Sequence, residues 1–593
     1  MIVYDKLIKL RALMKKENLD AYFINGTDPH NSEYVCNRWK TREFISDFSG
    51  SAGSVLVTLD KAYLWVDSRY FIQADKQTKG SEFIVMKQEI NDTPTPKEFI
   101  NKTFSKGARI GFSKDTLMLD EKKSFQKECS NVDIVVTEDL LDEFWENRAE
   151  IPVEPVVEMN VELTGFTRSQ KLNMIRIYLN EKKADYELIA SLDDIAWTLN
   201  LRGNDIAYNP VFISYLFVTT DKAYLFTNDK RFNSSILENL KKDLEIYPYE
   251  SIITKLSQLL EKDKTILINE QKTNSLFEKL INDFNLNVIN EIEVTTRLKA
   301  CKNDTELEGM RRAHLLDGVA LVNFLANIDF EKGEYSELEI AKILEGYRFK
   351  NKECLGLSFN TISGFQDNGA LCHYSVTEES SKSVKANGLL VLDSGGTYES
   401  GTTDITRTLL FGEATEEEIR DYTLVLKGHI ALALQTFPKG TKGYQLDVLA
   451  RQFLWNYGLT YYHGTGHGVG HRLCVHEGPQ KISPAFNDYS LQKGMVISDE
   501  PGIYKEGRHG IRIENLVAVQ NDVETEFGQF LNFEILTLCP YEKKLINVSM
   551  LSEKEINYVN SYHKWVYEEL KDLVEKESLT YLKEATSPLI MEK

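Results

Sequence analysis

Five short segments carry side chains able to do chemistry together. Asp393 closes the apolar run of LLVLDSGGTY, Asp404 lies in GTTDITRT, His467 in HGTGHGVGH, Glu500 in SDEPGIY and Glu514 in GIRIEN. Singly, each has an ordinary structural reading: an aspartate at a strand end is a turn or cap residue, and a histidine among glycines is structural. Together they do not, because His373, His463, His467, His471, His476 and His509 crowd the same stretch. Four carboxylates gathered away from water are severely unfavourable unless cations compensate them. These residues therefore read as ligands for a pair of divalent metals. An oxygen-rich set with one imidazole suits a harder ion, manganese first, with cobalt, iron or zinc as alternatives. Two such ions would hold a water between them and lower its pKa toward neutrality, which makes a nucleophile for hydrolysis.

The elements that must position these groups are legible around them. Residues 389–393 read as a strand, and 403–410 alternates, with Asp404, Thr406 and Thr408 on one face. A Ser-Gly-Gly turn after Asp393 is expected to lay these two strands side by side. Residues 495–499 and 510–517 are expected to form a second pair, with Arg512 and Glu514 on one face and Ile511 and Ile513 on the other. Gly464, Gly466, Gly468 and Gly470 exclude a stable helix around His467 and let the backbone pass close to a neighbour.

The remaining chain is scaffold by this reading. Its 593 residues far exceed one ordinary core, which predicts about three or four domains. A helix over 4–16 and the buried-strand pattern LDAYFI open an α/β region. VLVTLDKAYLW at 55–65 then recurs as LFVTTDKAYLF at 216–226, and Lys6, Leu7 and Arg11 have counterparts in Lys171, Leu172 and Arg176. Such self-similarity predicts two domains of one fold. They are joined near IPVEPVVEMN, where Pro152 and Pro155 break regular structure. FSGSAGS and LRGNDIAYNPVF read as turn chemistry. A third domain begins near Arg297 with a long amphipathic helix capped at Asn303, Asp304 and Thr305. The amphipathic tail over 552–583 is expected to pack against the body. The expected borders are 1–157, 158–296 and 297–593, the last with a C-terminal helical extension.

Composition excludes several function classes. A formal net charge of −20 disfavours a polyanionic partner such as nucleic acid. No run approaches the ~20 apolar residues of a membrane helix, and the N-terminus lacks a signal-peptide core. The seven cysteines are odd in number, scattered and without a CxxC pair, so we expect reduced thiols in a cytoplasmic protein.

The order LDSGG, GTTDITRT, HGTGHGVG, DEPGIY and GIRIEN resembles the metallopeptidases of the pita-bread fold, specifically the large, three-domain cytosolic aminopeptidase P (Xaa-Pro aminopeptidase) group. DPHNSEY, FSGSAG and WVDSRYFIQA in the first domain, LDDIAWTLNLRGNDIAYNPVF in the second and KNDTELEGMRRAH at the third boundary are similar to that group too. The likeness thus covers nearly the whole chain. It implies an α/β (α+β) architecture of two related creatinase/prolidase-like domains followed by a pita-bread catalytic domain. It implies Asp393, Asp404, His467, Glu500 and Glu514 as dinuclear metal ligands, with Glu500 also acting as general base and proton shuttle. His373 would steady the scissile carbonyl or developing oxyanion, while His463 and His476 would line the prolyl pocket and the leaving-group side. Tyr504 and Arg512 would support them, Arg512 by orienting a carboxylate ligand.

The implied reaction is hydrolysis of the bond between an N-terminal residue and a following proline, by attack of a metal-bridging hydroxide. Proline restricts both itself and its predecessor, which makes such bonds poor substrates for ordinary peptidases and a dedicated pocket sensible. The resemblance further implies short peptide substrates, an N-terminal domain that narrows access, and a homodimer. Two departures stand out: Asp47 where the group has a small residue, and His471–Arg472 after HGVG, where a more apolar continuation is usual. A prolidase shares the five ligands and stays open, whereas a methionine aminopeptidase would lack the duplicated N-terminal region. A ligand-less pita-bread binding module is disfavoured by the intact ligand set.

Overall fold

The computed structural model describes residues 1–590 apart from 68, 89–91, 332–333 and 386. It comprises two compact units, one of Met1–Met159 with Phe166–Thr295 and one of Asn160–Gly165 with Thr296–Lys593. Ser68, within WVDSRYFIQA, lies outside the described residues.

The first unit holds two six-stranded sheets of the same plan. One runs Phe83–Lys87, Ala62–Val66, Ser54–Thr58, Ala21–Ile24, Ala108–Ser113, Val132–Thr137 in spatial order. The other runs Glu245–Tyr247, Ala223–Phe226, Tyr215–Thr219, Tyr186–Ile189, Thr265–Ile268, Asn287–Asn290. In each, the antiparallel pairs lie at the centre and the outer strands are parallel. The repeated VTxDKAYL segment makes the same hairpin twice. Thr58 Oγ1 donates to Asp60 and Thr219 Oγ1 to Asp221, each at 2.8 Å, because a short hydroxyl beside an aspartate closes a tight turn. The opening helix, Val3–Lys16, buries Leu7, Leu10 and Met14.

Three features of this unit refine the sequence reading. Val157–Glu158 pairs with Leu201–Arg202, so IPVEPVVEMN contributes a short strand as well as a connection. Asp205, in LRGNDIAYNPVF, is buried against Arg231 at 2.9 Å and accepts from the Ile213 and Glu154 amides, which is turn chemistry on a buried ion pair. Asp47 ends the helix Thr41–Ser46 at φ 58° and pairs with Lys6 at 2.6 Å, so a local capping contact accounts for its presence.

The second unit surrounds two sheets with helices Asp304–Ala326, Glu337–Phe349, Glu416–Ala433, Gly443–Trp455 and Glu553–Leu570. Asn303 and Glu306 form a capping box on the first of these, as the polar cap segment predicts. One sheet is antiparallel: Ile362–Phe365, Gly388–Ser394, Ile405–Phe411. The other is ordered Phe437–Pro438, Gly528–Ile535, Asn515–Thr525, Val496–Asp499, Gly466–Gly468, Glu477–Ile482.

The first expected ribbon is present, with Asp393 opposite Thr406. Its connection is longer than a simple turn: Gly396–Tyr398 and Gly401–Thr402 make a hairpin of their own against Cys354–Leu357. The second expected ribbon needs correction. Val496–Asp499 pairs with Asn515–Thr525, while His509–Arg512 folds back on Gly502–Lys505. The break falls at Glu514 because its amide is captured by the Thr406 carbonyl at 3.1 Å, which ties this junction to the other sheet. Ile503, Ile511 and Ile513 still face inward, into a core with Tyr422, Leu426, Tyr562 and Val566. The tail therefore packs as expected, through the buried face of Glu553–Leu570.

All seven cysteines are free thiols. Among the described residues no helix is long and apolar enough to cross a membrane.

Candidate metal centre

The site is built where the two sheets of the second unit meet. Asp393 sits within the strand Gly388–Ser394 and Asp404 immediately precedes Ile405–Phe411. His467 is at the middle of Gly466–Gly468, and Glu500 and Glu514 flank the hairpin Gly502–Lys505/His509–Arg512. The glycines around His467 are needed for close approach. A Cβ at Gly466 would lie 1.9 Å from the Ser498 carbonyl oxygen, and one at Gly468 would lie 2.3 Å from that of Glu477.

Asp404, His467 and Glu514 place one ligand atom each within 4.8 Å of one another. His467 Nε2 lies 3.4 Å from Asp404 Oδ2 and 3.6 Å from Glu500 Oε1. Its Nδ1 faces the Gly468 carbonyl at 3.0 Å and takes the role of donor there, so Nε2 turns a lone pair toward carboxylate oxygens. Only a cation or a proton between them relieves that arrangement.

Asp393, Asp404 and Glu514 are all buried. Each keeps one oxygen enclosed and without a hydrogen-bond donor: Oδ1 of Asp393, Oδ1 of Asp404 and Oε1 of Glu514. The charges push on one another. Burial, and the charges of Asp404, Glu500 and Asp393, raise Glu514 well above the usual carboxylate range. Burial lifts Glu500 to about 7 with help from Asp404 and Asp393, although His467 and Arg512 oppose it. Burial also raises Asp393, against Arg512 and with Asp404. Burial pulls the His467 imidazole down, but its contacts with Asp404 and Glu500 win and leave it at about 9. Oxygen donors in this number, with one oriented imidazole, fit divalent metal ions.

Around this set the remaining expected residues fall into two groups. Arg512 is a hub: Nη2 donates to Asp393 Oδ2 at 2.6 Å, Nε to Thr406 Oγ1 at 3.1 Å and Nη1 to the Tyr504 hydroxyl at 2.6 Å. Nη1 also reaches the Cys372 carbonyl at 3.3 Å, which holds the turn that carries His373. His463 Nε2 lies 2.9 Å from the same Tyr504 hydroxyl, and His476 packs edge-on against His467 with ring centroids 4.3 Å apart. His509 is engaged elsewhere, 3.2 Å from Asp421 Oδ2.

Three further groups carry no motif of their own. Thr406 donates to Glu514 Oε2 at 2.8 Å while accepting from Arg512, and its place on the Asp404 face is the one signal that marks it. Ser498 accepts from the His467 amide at 2.9 Å and donates to Glu500 Oε1 at 3.3 Å. Arg407, on the opposite face of the strand, donates to the Glu514 carbonyl at 2.6 Å.

Buried carboxylates gathered around one oriented imidazole, on strands from two sheets, are the donor set of a divalent metal site in a hydrolase. The profile of metallopeptidase family M24 matches residues 308–521, that of the C-terminal region of peptidase M24 matches 529–589, and two profiles of the creatinase/prolidase N-terminal domain match 6–144 and 147–306. Xaa-Pro aminopeptidase 1 of Dictyostelium discoideum is 40% identical over 99% of this chain and 97% of its own length. A probable Xaa-Pro aminopeptidase P of Laccaria bicolor is 39% identical over 99% of this chain and 93% of its own. The crystal structure of X-prolyl aminopeptidase from Caenorhabditis elegans, described as a cytosolic enzyme with a di-nuclear active site, superposes with TM-score 0.94 and 36% identity, covering 99% of this chain and all of that one. The chain belongs to metallopeptidase family M24, in its Xaa-Pro aminopeptidase group.

Proposed function

We propose that this chain is a metal-dependent aminopeptidase that hydrolyses the bond between an N-terminal residue and a penultimate proline. The carrying observation is a buried carboxylate–imidazole site in a chain alike to Xaa-Pro aminopeptidases over 99% of its length. We assign Asp393, Asp404, His467, Glu500 and Glu514 to hold two divalent ions, Mn²⁺ by preference, with Co²⁺, Zn²⁺ or Fe²⁺ as alternatives. When bound, such ions polarise a carbonyl and acidify a water.

The chain's own residues supply positioning and proton transfer. Glu500 accepts a proton from the attacking water at its carboxylate and delivers it to the proline nitrogen as the carbon–nitrogen bond breaks, which converts a tertiary amide nitrogen into an amine. The Ser498 hydroxyl, 3.3 Å from Oε1, holds that carboxylate. His373 steadies the scissile carbonyl oxygen. His463, fixed by Tyr504, and His476, packed on His467, line the prolyl pocket and the leaving-group side. Arg512 orients Asp393. The substrates are short peptides with proline second, and neither nucleic acid nor a membrane is a partner.

We assign the protein to the cytoplasm, the compartment named for its nematode relative. It acts as a homodimer by the same reading, supported by exposed aromatic surface at Trp455, Tyr457, Tyr462 and Phe486. Borders at 157–158 and 296–297 are the proposed domain limits.

The test is hydrolysis of Arg-Pro-Pro and Arg-Pro by chelator-stripped protein with and without Mn²⁺, beside Glu500→Gln. Metal-dependent release of arginine from the tripeptide, weak on the dipeptide and roughly 10²–10⁴-fold lower in the variant, is the expected result. Preference for the dipeptide would make it a prolidase, and silence on both would return the chain to a binding role.

A further inference from the structure

Behind the metal centre a line of buried polar groups joins the two strands that carry Glu500 and Glu514. Arg407 Nη2 donates to Asn515 Oδ1 at 2.8 Å, and Asn515 Nδ2 donates to the Tyr541 hydroxyl at 3.0 Å. That hydroxyl lies 2.9 Å from His429 Nε2. His429 Nδ1 lies 3.1 Å from both the carbonyl oxygen and Oδ2 of Asp499. Both groups facing Nδ1 are acceptors, so Nδ1 carries the proton and Nε2 accepts from Tyr541. Every donor in the line then points the same way, from Arg407 to Asp499. His429, Asp499 and Asn515 are wholly enclosed.

Both ends of the line act on ligand backbones. Arg407 Nη1 donates to the Glu514 carbonyl at 2.6 Å, and Asp499 directly precedes Glu500 and pairs across the sheet with Asn515. Arg407 also reaches the Cys539 carbonyl at 2.7 Å and the Tyr562 hydroxyl at 3.1 Å, which brings the C-terminal segment into the same network. A polar line this deeply buried is costly unless every member is satisfied. Removing one hydroxyl from it strands a donor and an acceptor together.

We propose that the line Arg407–Asn515–Tyr541–His429–Asp499 is a positioning element that fixes the backbones of Glu500 and Glu514, so that Tyr541 and His429 set the metal affinity of a site they do not touch. This rests on the ligand assignment above. It makes the C-terminal segment, through Tyr541 and Tyr562, part of what shapes the site.

Tyr541→Phe keeps the ring packed on Tyr562, at 4.8 Å between centroids, and deletes only the hydroxyl. Mn²⁺ affinity is read by competition with a chelating dye, with kcat and KM measured separately. The expected result is affinity weaker by about tenfold and a lower kcat, with KM for the peptide within about twofold. Val566→Ala, a buried truncation in the C-terminal helix, is the comparison: it lowers Tm and leaves Mn²⁺ affinity unchanged. His429→Gln is the second variant, expected to lose affinity in the same range if Tyr541→Phe does not fold. Unchanged Mn²⁺ affinity in either folded variant overturns the proposal, as does a loss matched by Val566→Ala. An unaltered protein that takes up no Mn²⁺, Co²⁺ or Zn²⁺ overturns the ligand assignment and the proposal with it. Metal uptake by that protein with no change in the variants overturns the proposal alone.

Discussion

Arg512→Lys separates charge from geometry at the metal centre. The guanidinium serves four acceptors at once: Asp393 at 2.6 Å, Thr406 at 3.1 Å, Tyr504 at 2.6 Å and the Cys372 carbonyl at 3.3 Å. A lysine ammonium keeps the positive charge and one of these partners, Asp393 being the strongest. It cannot span to Thr406 and Tyr504 as well. Thr406 is the consequential loss, since its hydroxyl is the donor that aims Glu514. Two neutral hydrogen bonds at about 1 kcal/mol each amount to about 2 kcal/mol. In the metal-free protein a proton on the raised carboxylates offsets part of the disorder, so the cost falls mainly on the loaded form. At 1.4 kcal/mol per decade this is about 30-fold in metal affinity, inside the 10–100-fold range usual for groups that orient ligands.

Competition with a chelating dye measures that shift directly, and thermal unfolding of the chelated protein gives the stability change beside it. The expected pattern is weakened Mn²⁺ binding, near-normal Tm without metal, and kcat lowered more than KM is raised. Wild-type affinity in Arg512→Lys would refute the reasoning, because it would mean that charge alone holds Asp393 and Glu514 in place. A loss confined to Tm would refute it equally.

Metal stabilisation should grow with pH. Glu500 at about 7 and His467 at about 9 stand above their ordinary 4.5 and 6.5, so the folded metal-free chain binds more protons than the unfolded one and loses stability as pH rises through that window. Metal must displace those same protons; the gain in Tm on adding Mn²⁺ is therefore larger at pH 8 than at pH 6, and a gain that shrinks would contradict the assignment. Arg348→Met strands Asp317, now held at 2.7 and 3.1 Å in a buried two-point contact, and should cost about 3–5 kcal/mol in chemical denaturation, much of it recovered by adding Asp317→Asn. His563 is pushed down to about 3, first by burial and then by the charges of Lys543 and Arg407. Its unfolded form takes the proton first, so its contribution is complete above pH 6.5 and is lost on acidification toward 3, at about 1.4 kcal/mol per pH unit. His563→Gln should flatten that acid limb of the stability profile.

The ligand-bearing segments were legible because each pairs an uncommon residue with the backbone its chemistry requires. His467 sits between glycines whose absent Cβ atoms admit neighbouring carbonyls at 1.9 and 2.3 Å, and that need shows directly as an alternating glycine pattern. Asp404, Thr406 and Thr408 share a face by period-two alternation, which the register with Asp393 reproduces. The duplicated N-terminal sheets were legible for a different reason: a hairpin turn closed by Thr and Asp recurs with almost the same letters. The switch at Glu514 was not, since GIRIEN alternates without interruption and nothing local says that the Glu514 amide leaves one sheet for a carbonyl of the other.

The supporting network was less legible still, and the reason is physical. Arg407 and Tyr562 are 155 residues apart and meet only after two sheets and a helix have packed, so no spacing rule links them. His429 lies on a helix among apolar neighbours, where its letter has the same look as a satisfied core histidine, which in a narrow sense it is: both ring nitrogens are engaged, at 3.1 and 2.9 Å. A ligand announces itself by an unsatisfied oxygen and a supporting residue by the opposite. Asp393, Asp404 and Glu514 each retain an oxygen that the protein does not cap, whereas Asn515 and Tyr541 spend their polar groups on one another and on their neighbours. The site is thus a small uncompensated region held inside a compensated one. Selection for metal binding acts on both, but local sequence patterns expose only the first.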